Sequence, residues 1–212
     1  MSEKYITVSN SATAEITEKK SRFIANVCPV KTEEEALSFL AETRKKYSDA
    51  RHNVYAYSVR ENNIARFSDD GEPAQTAGLP IMDLINKEGI TDVCVVVTRY
   101  FGGILLGTGG LVRAYTKSAK EGLSLAEPVI MQVCREIGIE CDYTLLGKIQ
   151  ARVIERGYEI SEPVYSDKVT LFLYVPAGDA EDFSKDITDL SNGEAKIILG
   201  ETAIKPQKIN NP

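Results

Sequence analysis

Residues 98–115, TRYFGGILLGTGGLVRAY, constrain this 212-residue chain more than any other stretch. Ahead of them Val93, Cys94, Val95, Val96 and Val97 form a short apolar, β-branched run between Asp92 and the glycines. That is the pattern of a strand buried on both faces. Gly102, Gly103, Gly107, Gly109 and Gly110 then follow in quick succession. From Leu111 the apolar spacing turns helical, through Val112, Tyr115, Ala119 and Leu123. The unit is strand, glycine-rich loop, helix, with Thr108 expected as the helix N-cap.

A loop of this kind invites a phosphate-loop reading, and the spacing argues against it. Gly102 to Thr108 has the glycine spacing of a Walker A loop but lacks the lysine that reaches the phosphates. The dinucleotide pattern fails as well, because Val112 stands where the third glycine belongs. Ile104, Leu105 and Leu106 are too apolar to wrap a solvated phosphate and are expected to dock into the core. An ATPase or Rossmann fold is rejected. The remaining choices are a ligand loop or a tight connection whose glycines bring helix and strand close together.

A chain of this length suits one large domain or two small ones. Met1-Ser2-Glu3-Lys4 opens no apolar signal segment, and no run approaches the ~20 apolar residues that span a membrane. The expected location is the cytoplasm. Cys28, Cys94, Cys134 and Cys141 form no CxxC pair and read as reduced core cysteines. His52 is the single histidine, so a zinc centre or a His-dependent nucleophilic triad has little to draw on. The formal charge of -6 is uneven: residues 1–134 carry a net -1 and residues 135–212 a net -5. Bulk charge gives no nucleic-acid footprint, though a local arginine patch remains open in the first part.

In chain order, weak alternation over residues 13–17 is followed by SRFIANV at residues 21–27, a strand with Phe23, Ala25 and Val27 on one face. Thr32 and Glu35 form a capping box for a helix through Ala36, Leu40, Thr43 and Tyr47. NVYAYSV at residues 53–59 alternates, with Tyr55 and Tyr57 on one face and Val54 and Ala56 on the other. Asn62-Asn63 is a hairpin turn into a strand over residues 64–67. Residues 68–78, SDDGEPAQTAG, are acidic and turn-forming. Asp69, Asp70 and Glu72 could hold a magnesium ion or serve as turn and cap donors. Thr76 is expected to cap a helix with Pro80 in its first turn, running through Ile81, Leu84 and Ile85 to Gly89.

Past Pro128 the texture changes. The expected order is a strand over residues 131–141, a helix from Asp142 or Thr144 stopped by Gly157, strands over 158–165 and 169–175, a helix capped by Asp179, and a last strand over 195–199. This βαββαβ order is a split βαβ or ferredoxin-like unit. Residues from Lys205 on read as a loose tail.

The segments ARHNVYAY at residues 50–57, FSDDGEPAQTAGLP at 67–80 and VVTRYFGGILLGTGGLVRAY at 96–115 resemble the signature of the IMPACT family, whose bacterial branch is called YigZ. The resemblance is strong from Ser21 to Leu125 and shows no departure within the three motifs. It implies an α+β chain: a ribosomal-protein-S5-domain-2-like domain over residues 1–130, a ferredoxin-like βαββαβ domain over 131–202, and a flexible tail over 203–212. The second domain is similar to the last domain of the translocating elongation factor, and the first fold occurs in that factor's neighbouring domain. Eukaryotic relatives dampen the kinase that phosphorylates an initiation factor, using an additional N-terminal domain that this chain lacks. That role is not carried over. The bacterial branch has no settled activity to transfer.

The reading is a non-catalytic binding protein that contacts the ribosome, RNA or a translation factor, with no cofactor and no metal assigned. Arginine forks and exposed amides suit phosphates, and aromatic faces suit unpaired bases. The candidate contacts are Arg51, His52, Arg66, Thr98, Arg99, Tyr100, Gly102, Gly103, Gly107, Thr108, Gly109 and Arg113. Arg99 and Arg113 lead for phosphate, and Tyr100 for stacking. The bland alternative pairs these arginines with Asp69, Asp70 or Glu72 in one structural cluster. A metal-assisted enzyme in the same cleft, holding metal on those carboxylates, ranks lower because no nucleophile or tuned base is evident. A third reading is a protein–protein regulator acting through the acidic C-terminal domain, by strand addition. The oligomeric state is left open.

Overall fold

The computed structural model describes residues 4–209; expectations about residues 1–3 and about 210–212 of the tail lie outside them. The chain divides into one unit containing Tyr5–Ile130 and another containing Met131–Gln207.

The first unit is built on a five-stranded antiparallel sheet. In chain order its elements are β1 (Lys4–Val8), β2 (Ala12–Glu18), β3 (Ser21–Pro29), α1 (Glu33–Lys46), β4 (His52–Val59), β5 (Ile64–Ser68), α2 (Gly78–Lys87), β6 (Val93–Tyr100) and α3 (Thr108–Leu125). The sheet order is β2-β3-β6-β4-β5. β1 stays outside it, joined to the residues entering β6 by a parallel bridge between Ile6 and Ile90.

Period-two alternation sorts the strand side chains onto two covered faces. Phe23, Ala25, Val27, Val54, Ala56, Val93, Val95 and Val97 pack under α2 and α3, against Ile81, Ile85, Tyr115, Ala119 and Leu123. Tyr57, Val59, Cys94 and Val96 face the other way, onto Ala36 and Leu40 of α1. The central strand β6 is therefore buried on both faces, as its β-branched run predicts. Tyr55 and Tyr57 stack on one face, with ring centroids 5.9 Å apart. Tyr57 is buried and donates to Glu33, which does not suit it to stacking on a base. Burial and that carboxylate push its phenol pKa upward.

Local signals place most of the boundaries. Thr32 Oγ1 accepts the Glu35 amide at 3.2 Å, while Glu35 reaches back to the Lys31 amide. Asn62 and Asn63 both adopt left-handed backbone in the turn before β5. The N-cap of α3 falls one residue earlier than expected: Gly107 occupies it, and Thr108 is the first helical residue.

The second unit follows the expected βαββαβ order: β7 (Pro128–Cys141), α4 (Tyr143–Glu155), β8 (Val164–Tyr165), β9 (Val169–Pro176), α5 (Ala180–Leu190) and β10 (Lys196–Lys208). β7 pairs with β1, β9 and β10, and β8 pairs with β9, so the sheet path is β1-β7-β9-β8 with β10 also on β7; leaving β1 aside, the order β10-β7-β9-β8 is ferredoxin-like. One sheet face carries Ile137, Ile139, Leu171 and Leu173 against Ile149, Phe183 and Ile187 of the helices. Two boundaries differ from the sequence reading. The strand expected over 158–165 shrinks to two residues and an isolated Ile160–Leu173 bridge, since Tyr158 and Ile160 turn into the core instead. The last strand runs on to Lys208 and takes in residues expected to lie in the tail.

Candidate functional site

The two unusual stretches meet at one end of the first sheet. Antiparallel register sets Arg22 of β3 opposite Tyr100 of β6, and His52 of β4 opposite Arg99. The acidic loop leaves β5 at the same end, so pairing places His52, Arg99 and Tyr100 beside the loop that carries Asp69, Asp70 and Glu72.

Each acidic side chain is engaged internally. Asp69 Oδ1 accepts the amides of Ala77 at 3.0 Å and Gly78 at 2.8 Å, and Oδ2 accepts the Gln75 amide at 2.8 Å. A carboxylate on the first free amides of a helix is a cap and suits the positive end of its dipole. Asp69 thus takes the role expected of Thr76, whose hydroxyl donates instead to the Pro73 carbonyl at 2.6 Å. Asp70 Oδ2 accepts the Asn53 amide at 2.7 Å, and Oδ1 accepts from Arg44 at 3.0 Å. The Asp70 carbonyl lies 2.8 Å from His52 Nδ1, a contact that needs the proton on Nδ1.

Glu72 is the centre of the cluster. Its Oε1 accepts from Arg99 Nη1 and from the Tyr115 hydroxyl, each at 2.7 Å. Arg99 Nε is a buried side-chain nitrogen with no hydrogen-bond partner among the described residues. The guanidinium carbon lies 5.4 Å from the Phe23 ring centroid and 5.6 Å from that of Phe101, so ring faces replace the missing acceptor. Burial pushes the Tyr115 phenol pKa strongly upward, and the Glu72 carboxylate adds to the shift.

This arrangement revises several expectations. Arg99 is paired inside the fold, so the bland alternative describes it better than a phosphate contact does. Thr98 is fully buried and donates to Asn53 Oδ1 at 2.7 Å. Tyr100 is half-buried and donates to Asp49 at 2.6 Å, with Arg22 over its ring. Arg66 sits further along β5, opposite Tyr57, and donates to the Ala65 carbonyl. Among the described residues no group of three or more His, Cys, Asp and Glu side chains is arranged to hold a metal ion.

The loop over residues 101–107 departs most from expectation. Leu106 packs on the core, but Phe101, Ile104 and Leu105 are 55%, 42% and 82% exposed. Gly102 explains the loop's path. A Cβ there would lie 2.0 Å from the Lys20 carbonyl carbon, so only glycine lets the loop rest on the β2–β3 turn. The Gly102 amide donates to Ser21 at 3.1 Å and fixes that contact. Gly103 and Gly107 have φ of +84° and +72°, with open space around them. Gly109 lies beside the Arg113 guanidinium. Arg51 and Arg113 are exposed and form no ion pair among the described residues. Sequence reasoning missed the neighbours Lys19, Lys20 and Lys117. The signal for the first two was a lysine pair immediately before a strand.

Taken together these features define a two-domain α+β protein, an S5-domain-2-like sheet with a glycine-loop end followed by a ferredoxin-like domain. Residues 19–123 match the Impact N-terminal domain family and residues 139–194 the Domain of unknown function (DUF1949) family. The chain belongs to the IMPACT family. It is 41% identical over its full length to the IMPACT family member YvyE of Bacillus subtilis (strain 168), covering 98% of that protein. It is 34% identical over 186 residues to the IMPACT family member YigZ of Escherichia coli (strain K12), covering 86% of this chain and 91% of that one. Protein IMPACT of Mus musculus is 39% identical over 98 residues, 43% of this chain and 30% of the mouse protein. A solved structure described only as the crystal structure of an hypothetical protein aligns with a TM-score of 0.59 and 32% identity, covering 93% of this chain and 98% of the other. No helix among the described residues is long and apolar enough to cross a membrane.

Proposed function

We propose that this protein is a non-catalytic binding protein of the translation machinery, contacting the ribosome, RNA or a translation factor through the glycine-loop end of its N-terminal domain. One observation carries the reading. The carboxylates at that end hold backbone amides, Arg44, Arg99 and Tyr115, while Arg51, Arg113 and three apolar side chains are exposed. The surface left for a partner is cationic and apolar. The same bonds weigh against a metal-assisted enzyme, because Asp69, Asp70 and Glu72 are each already engaged in structural contacts.

Co-sedimentation with purified ribosomes and subunits across a salt series tests the proposal. The expected result is wild-type co-sedimentation that weakens as salt rises and is reduced in Arg51→Ala with Arg113→Ala. Both residues are exposed, so the variant keeps its fold. Wild-type protein that stays in the supernatant at low salt would overturn the reading. A second reading, protein binding through the C-terminal domain, draws on exposed Ile198, Leu199 and Ile204 of β10 and on Val164 and Tyr165 of the short strand β8. Salt-resistant capture that depends on residues after Pro128 would favour it.

A further inference from the structure

We propose that the cleft between the β2–β3 turn and the first turns of α3 binds the phosphate backbone of RNA, an assignment that rests on the ribosome-or-RNA reading above and names its contact residues. The cleft encloses about 230 Å³ and is lined by Lys19, Arg113 and Lys117, with Gly110, Ala114 and Leu106 between them. Arg113 and Lys117 stand one helical turn apart on α3, which puts their heads on the same face. Among the described residues Glu18 is the one carboxylate lining it. Lys19, Lys20, Arg113 and Lys117 are all exposed, and none forms an ion pair among the described residues. Such a set of cations stands out in a domain whose net charge is slightly negative.

The turn adds an independent observation. Glu18 pairs with Ser21, so Lys19 and Lys20 are the two central residues of a hairpin turn, with φ of 45° and 65°. A two-residue turn with positive φ at both positions favours Asn-Gly or Gly-Gly. Here the chain holds two lysines in that unfavourable backbone conformation, the kind of local strain that clusters at functional sites. Gly102 packs its backbone on Lys20 and holds the turn against the loop that leads into α3. The turn's backbone is thereby held so that Lys19 lines the cleft together with Arg113 and Lys117. Lysine heads serve phosphates as point charges, and the arginine fork engages one with two parallel hydrogen bonds.

The test is fluorescence anisotropy of the full chain with a labelled 12-nucleotide uridine RNA over a salt series. Wild type is compared with the triple variant Lys19→Gln, Arg113→Gln, Lys117→Gln, whose fold is checked by its melting temperature. The expected result is wild-type binding, with the log-affinity against log-salt slope smaller by about 2 in the variant, from ~0.7 per lost single-strand phosphate contact. Competition by unlabelled RNA and by inorganic phosphate separates the two sources of the same chemistry. Displacement by RNA at far lower phosphate concentration supports the backbone. Equal potency per phosphate would make the cleft a small-anion site and overturn the proposal. Equal RNA binding by wild type and the triple variant, or no binding by wild type, would also overturn it. Ribosome co-sedimentation is run on the same variant. If wild type and variant sediment alike while RNA binding is also unchanged, the cleft assignment fails and the broader reading stands.

Discussion

Arg99 Nη1 lies 2.7 Å from Glu72 Oε1, and their side chains are only 8% and 3% exposed. The pair links β6 to the acidic loop, and Tyr115 of α3 closes it from above. Removing one partner leaves a buried charge unmatched, at a cost of about 3–5 kcal/mol, whereas replacing both partners can be near neutral. Arg99→Ala is therefore expected to lower the urea midpoint sharply. Arg99→Met combined with Glu72→Gln should recover most of the loss, because the side-chain amide oxygen of that double variant still accepts the Tyr115 hydroxyl. A full recovery by Arg99→Lys would contradict this account, since lysine lacks the planar guanidinium that lies against the Phe23 and Phe101 rings.

Asp69 caps α2 from eight residues upstream, holding the amides of Ala77 and Gly78 on one oxygen. Asp69→Ala should destabilise the protein by about 0.5–2 kcal/mol, the usual range for loss of a helix cap. Thermal melts with and without millimolar magnesium check the cause. The loss should be the same in both, and a magnesium-dependent rise in wild type alone would show that the carboxylate serves a metal instead.

Leu105 is 82% exposed at the loop tip. Leu105→Asp should leave the melting temperature within the range of surface substitutions, about ±0.5 kcal/mol. The same variant should reduce ribosome co-sedimentation, because a carboxylate enters the cationic, apolar surface. A large fall in melting temperature would mean that the leucine is covered in solution.

Alkaline pH should weaken the fold. Burial pushes the Cys94 thiol up to about 12, from an unfolded value of about 8.5. Its stabilising contribution is complete below the unfolded value and is lost as pH climbs toward the folded one, since the native state there binds the extra proton. The Tyr115 phenol is shifted in the same direction by burial and Glu72. Urea midpoints should therefore decline from about pH 8.5 upward, and Cys94→Ala should flatten the decline over roughly pH 8.5–10. An unchanged slope in that variant would show that the thiol does not carry it.

Much of the fold is legible because its signals are local. The β-branched run of β6, the capping box of α1, the paired asparagines before β5 and the βαββαβ order each follow from neighbours a few residues apart. The 158–165 segment reads as a strand although most of it is unpaired. Tyr158 and Ile160 are apolar for the sake of the core, and an apolar run does not distinguish a paired strand from a packed loop. At the candidate site the motifs mark the right residues but do not divide their roles. Ile104 and Leu105 look like core residues by hydropathy alone, yet the loop sends only Leu106 inward.

The sequence by itself determined most of the elements and which motifs are unusual, since periodicity, capping and turn chemistry act over a few positions. Tertiary structure decided which of the unusual residues face a partner. Whether an arginine beside a carboxylate is a contact or a strut depends on antiparallel register. That register sets Arg99 beside His52, where the folded acidic loop brings Glu72, 27 residues away in sequence, onto it, while Arg113 on α3 stays exposed. The close approach of Gly102 to Lys20 is likewise long-range, and it sets the lysine turn beside α3.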